Sequence, residues 1–89
     1  MKAVISIIGK DKIGIVYRAT ELVVKYHINI IDLNQTVMDD YFTMIMVVDI
    51  SEASVGFDKI VDGFKKLGEE IGMKIKVQHE DIFNSMHSL

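Results

Sequence analysis

The residues best placed to do chemistry stand together near the start of the chain, in Gly9-Lys10-Asp11-Lys12-Ile13-Gly14-Ile15-Val16. An apolar, β-branched run from Ala3 to Ile8 leads into this stretch, and a helical pattern begins within it. A strand that passes through glycine and a short charged loop into a helix directs free backbone N–H groups at whatever occupies the loop. The positive end of the helix dipole points the same way. Gly9 and Gly14 admit backbone where a Cβ would clash. Asp11 supplies the one carboxylate able to answer a cationic group. Such a loop suits the binding of a small zwitterion, for example a free amino acid, better than it suits a reaction. The same residues also have a purely structural reading, in which Gly9 ends the strand, Asp11 caps the helix and Gly14 allows close helix–sheet packing.

Other chemistries fit poorly. The chain has no cysteine, which excludes disulfide scaffolds, thiolate metal sites and cysteine nucleophiles. His27, His79 and His87 share no metal-ligand spacing, so no metal is expected. Ser6, Ser51 and Ser54 have no histidine or lysine partner suggested by position. The sole arginine, Arg18, falls a full turn inside the first helix, which is a poor place to cradle a phosphate. An acylphosphatase-like enzyme is therefore the least favoured alternative. No catalytic residue and no cofactor is expected.

Composition narrows the field further. Eighty-nine residues suffice for one domain with a single two-layer core. A net charge of −3 speaks against a nucleic-acid binder, which ordinarily carries a basic stripe. No apolar stretch approaches the roughly 20 residues needed to span a bilayer. Lys2 and the short run after it lack the cleavage site of a signal peptide. A soluble, cytoplasmic protein without membrane or nucleic-acid partners is the expectation.

The elements that must position the loop are read from periodicity. Ala3 to Ile8 is apolar on both parities, as in a central strand. Ile15, Ala19, Leu22 and Tyr26, with Val16 and Val23 alongside, form a helical stripe opposite Arg18, Glu21 and Lys25. Ile28 to Met38 reads as a strand with Ile31, Leu33, Gln35 and Val37 on one parity and Asp32, Asn34 and Thr36 on the other, which suits a sheet edge. Asp39-Asp40 makes a tight turn into Tyr41 to Ile50, a second central strand. Ser54 is placed to cap a second helix with a stripe of Phe57, Ile60, Val61, Phe64, Leu67 and Ile71, stopped by Gly72. Met73 to Glu80 alternates as a half-buried strand.

The order βαββαβ predicts an α+β, ferredoxin-like sandwich: a four-stranded antiparallel sheet with two helices on one face. The expected division is a domain over 1–80 and a C-terminal tail over 81–89, with Ile82, Phe83 and Met86 as the tail's apolar contacts. Apolar residues on the uncovered face of the central strands point to a partner surface.

The loop from Gly9 to Val16, Asn29-Ile30 at the opening of the second strand and Gln35-Thr36 near its end resemble an ACT domain, the small regulatory module that binds amino acids. More narrowly, the chain is similar to the single-ACT proteins of the UPF0237 family, related to the ACT modules of the glycine-cleavage regulator. The resemblance implies ligand contacts from Asp11, Ile13, Gly14 and Ile15, with Asn29 supplied by a neighbouring subunit. Many members carry proline just before the second glycine, where this chain has Ile13. The resemblance also implies a homodimeric or larger regulatory module for an amino acid or related small molecule. A ligand-free module for assembly with another protein is the second expectation.

Overall fold

The computed structural model describes residues 1–10 and 12–81; Asp11 and the expected tail residues Ile82, Phe83 and Met86 lie outside the described residues. The chain runs β1 (Lys2–Gly9), α1 (Lys12–Lys25), β2 (Asn29–Met38), β3 (Tyr41–Asp49), α2 (Phe57–Ile71) and β4 (Lys74–His79). This is the βαββαβ order read from the sequence. The strands form one sheet in the order β2-β3-β1-β4, every neighbouring pair antiparallel. The two strands that are apolar on both parities, β1 and β3, occupy the centre.

Alternation decides which face carries the helices. Ala3, Ile5 and Ile7 of β1 stand in register with Val48, Met46 and Met44 of β3, and all six are buried. Against them pack Ile15, Ala19 and Val23 of α1 and Ile60, Phe64 and Leu67 of α2. Each large side chain fully buried in such a core contributes on the order of 1.5–3 kcal/mol. The α1 stripe is rotated from its expected position. Val23 is buried, whereas Leu22 and Tyr26 are half-buried, because Tyr26 turns toward Gly63 of α2.

Both helices end in the same way. Ile28 N–H reaches back to the carbonyl of Val23 (3.0 Å), around His27 in the left-handed region at φ 56°. Met73 N–H reaches the carbonyl of Gly68 (2.9 Å), around Gly72 at φ 69°. These six-to-one bonds satisfy carbonyls that the helix itself leaves free. The start of α2 differs from expectation: its N-cap is Gly56, without a side-chain cap, and not Ser54. Ser54 is held two residues earlier, where its N–H donates to the carbonyl of Tyr26 (2.9 Å) and ties the β3–α2 connection to the α1–β2 connection.

Asp39, at φ 53°, makes the turn that closes the β2–β3 hairpin. β2 is an edge strand, and it is more open than its pattern implied. All ten of its residues are exposed, including the apolar parity of Leu33 and Val37, because the helices leave this strand uncovered. A register shift between Ile30 and Asp32 bulges the strand near its start. No helix among the described residues is long and apolar enough to cross a membrane.

Local geometry makes two positions testable. A Cβ on Gly68 would stand 2.8 Å from the backbone oxygen of Met73, which cannot move without opening the turn into β4. Gly68→Ala should therefore destabilise the fold by about 1–3 kcal/mol, despite a helix-propensity gain of about 1 kcal/mol, as read from urea midpoints. The second position lies in the turn after β3, where the Ser51 hydroxyl (2.6 Å) and N–H (2.9 Å) both donate to Asp49 Oδ1. These bonds hold the Asp49 carboxyl below its ordinary range. A lowered carboxylate pKa stabilises the fold above the unfolded value of about 3.9, and that stability is lost as pH falls through the folded value. Asp49→Asn should flatten the loss of stability below about pH 4, measured as the change in urea midpoint between neutral and acid buffer.

Candidate functional site

Where β1 ends and α1 begins, the surface opens into a cavity of about 730 Å³. Strand pairing explains why it forms there. Gly9 lies in register with Phe42, and Ile8 with Lys74, so the hairpin end of β3 and the start of β4 converge on the β1–α1 loop. One wall consists of Gly14, Ile15, Tyr17 and Arg18 from α1. The facing wall is Ile71, Gly72, Met73 and Lys74, where α2 turns into β4, and Tyr41 and Lys10 complete the rim.

Gly9 sets how closely the walls approach. A Cβ at this position would stand 2.7 Å from Ile15 Cδ1 and 2.8 Å from Met73 Cγ. Glycine thus lets α1 and the α2–β4 turn meet over the end of the strand, and the apolar floor of the cavity results.

The charged groups differ in how far they are engaged. Arg18 donates through Nη2 to Glu70 Oε1 at 2.7 Å, and its Nε lies 3.6 Å from Glu21. The hydrogen bond to Glu70 is the main cause of its raised pKa. Lys10 instead holds its ammonium 5.5 Å from the centre of the Tyr41 ring, within the range of a cation–π contact. No acidic residue is among the described residues that line this cavity.

The structure separates the site residues read from the sequence. Gly14 and Ile15 line the cavity; Ile15 is buried beneath it. Ile13 is 83% exposed and stands outside the lining. Asp11 lies outside the described residues. Asn29 is exposed at the opposite end of the sheet, in register with Asp49, so within one chain it does not join the loop. Sequence reasoning missed Tyr41 and the Ile71–Lys74 wall. The segment Gly72-Met73-Lys74 read only as a helix stop and strand start, and nothing in it signals a site until β4 is paired beside β1. Among the described residues, no three acidic or histidine side chains are grouped to hold a metal ion.

Comparison with known proteins bears on the family and the fold. The family model described as an ACT domain matches residues 2–78. A UPF0237 protein of Clostridium acetobutylicum is 47% identical over 87 residues, 98% of each chain. A UPF0237 protein of Methanococcus maripaludis is 50% identical over 86 residues, covering 97% of this chain and 96% of that one. Among solved structures, the ACT domain protein from Streptococcus pneumoniae superposes with a TM-score of 0.80 at 40% identity, over 93% of each chain. A putative glycine cleavage system transcriptional repressor shares the fold at a TM-score of 0.76 and 13% identity, over 86% of this chain and 45% of that one. The chain belongs to the ACT domain family, and within it to the UPF0237 proteins.

Proposed function

We propose that this protein is a non-catalytic regulatory module of the cytoplasm that binds an amino acid or related small molecule and works as a homo-oligomer. The observation that carries the reading is the cavity at the β1–α1 junction, lined by Gly14 and Gly72 beside an apolar floor that the buried Gly9 allows Ile15 and Met73 to form. The resemblance-based contacts Asp11, Ile13, Gly14 and Ile15 belong to the same loop. Catalysis finds no support here, since Arg18 is committed to Glu70 and no nucleophile–base pair lines the cavity among the described residues.

The oligomer in this reading forms through β2. The two edges of the sheet are unlike. β4 is short and carries Lys74 and Lys76, the usual protection of an edge. β2 has ten residues with neither lysine nor proline, and it exposes Ile30, Leu33, Val37 and Met38. Pairing β2 antiparallel with its own copy about a two-fold axis would satisfy both edges at once. Asn29 of a second copy would then lie at the Met38 end of the first. Met38 pairs with Tyr41, and Tyr41 lines the cavity, so this arrangement brings the distant Asn29 toward the site. Ligand binding and association would strengthen each other by one shared coupling free energy. The exposed apolar residues of β2 also favour a second reading, an assembly module that uses this edge on another protein without a ligand.

A thermal-shift screen against the amino acids tests the first reading. A ligand at 100 times its Kd should add about 2.7 kcal/mol, a rise on the order of 10 °C for a domain of this size. Gly14→Val should abolish the response while retaining the fold, because the Ile15, Ala19 and Val23 stripe is untouched. An unchanged response in that variant would remove the loop from the site. Sedimentation at micromolar protein should find a dimer or larger species, and Gln35→Pro, at a ladder position whose N–H faces away from β3, should shift it toward monomer. A strictly monomeric wild-type protein would leave the assembly through β2 without support.

A further inference from the structure

Resting on the ligand-binding reading above, we infer that the cavity selects its ligand by an acid group held between Lys10 and Lys74, and that it takes organic acids with an apolar or aromatic body whether or not they carry an α-ammonium. The chain as a whole is acidic, with a net charge of −3, yet three of the cavity's lining residues are cations and none of the described ones is an acid. Arg18 is neutralised by Glu70 at 2.7 Å. Lys10 and Lys74 have no carboxylate within ion-pair distance among the described residues. Two lysines in the lining of a concave, largely apolar pocket give it a positive potential, and a bound acid group would answer it.

The rest of the lining defines the ligand's other end. Met73 and Ile15 meet over Gly9 as an apolar floor, and the rings of Tyr17 and Tyr41 stand exposed at the rim. Exposed tyrosines around an apolar floor accept an aliphatic or aromatic body. A bare inorganic anion would leave that surface uncovered. An ammonium ion brought into the same space would face the two lysines and find no described carboxylate in the lining.

The inference is tested with matched trios: phenylalanine, phenylpyruvate and phenethylamine, and leucine, 4-methyl-2-oxopentanoate and isopentylamine. Each is titrated into the ¹⁵N-labelled full chain while the amide signals of Gly9, Gly14 and Gly72 are followed. The expected result is that the oxo acid and the amino acid of at least one trio shift these amides with affinities within about tenfold of each other, while the amine does not. Lys10→Glu and Lys74→Glu should each weaken the oxo acid at least tenfold, and Lys59→Glu, on the outer face of α2, should leave it unchanged. An amino acid that binds where its oxo acid does not, an amine that binds, or lysine variants that retain full affinity would overturn the inference while leaving the ligand-binding reading in place. Failure of every compound in both trios, together with a flat screen of all amino acids, would remove both.

Discussion

β1 exchanges backbone hydrogen bonds along both of its edges, Lys2–Gly9 against Phe42–Asp49 on one side and Ala3–Ile8 against Lys74–His79 on the other. Every other feature of the molecule is arranged around that double ladder. It places the alternating buried residues Ala3, Ile5 and Ile7 at the centre of the core, where both helices can reach them. It leaves β2 and β4 as the sheet's edges. It also fixes which chain segments come together where β1 stops, because the registers of both partners bring Tyr41 and Lys74 to the end marked by Gly9. A cavity assembled in this way needs no dedicated loop. It is a consequence of three segments turning at the same level of the sheet.

Close approach of backbone to side chain recurs wherever the layers meet. Gly9 admits Ile15 and Met73, Gly63 admits Tyr26, and Gly68 lies against the carbonyl of Met73. Met73 takes part in two of these contacts and also closes α2 by donating to Gly68. The α2–β4 turn is therefore tied to the helix behind it and to the end of β1 in front of it. A ligand that touches Met73 touches a residue whose movement would be felt at both places, a physical basis for a regulatory module whose response spreads beyond its pocket.

Most of the fold was legible in the sequence because its signals were local and consistent. Both-parity apolar runs identified β1 and β3 as central, the Asp39-Asp40 turn marked the hairpin, and the stripe through Ile60, Phe64 and Leu67 fixed α2. The errors arose where tertiary contacts outweigh local pattern. Ser54 has a good capping side chain, but its N–H is engaged by Tyr26 and the helix starts later at Gly56. β2 is the edge strand that its alternation implied, but the helices do not cover it, so its apolar parity, Leu33 and Val37, is exposed as well. For the site, the β1–α1 loop could be read from its glycines and charges. The opposite wall could not, because Ile71–Lys74 joins it only through the pairing of β4 with β1. Asn29 could be named from family resemblance alone; its place at the far end of the sheet means that any role at the cavity depends on a second chain.

In the proposed oligomer the exposed β2 edge is completed by another copy of itself, and the cavity works in that context. In an antiparallel ladder the amides of β2 alternate between those bonded to β3 and those directed away from the sheet. Amide hydrogen exchange resolved along Asn29–Met38 at several protein concentrations is the most direct measurement. If the edges pair, the outward amides become protected as concentration rises, and protection increases further in the presence of a compound that shifts the Gly9 and Gly14 signals. Outward amides that exchange at the rate of free chain at every concentration, with or without such a compound, would contradict the account.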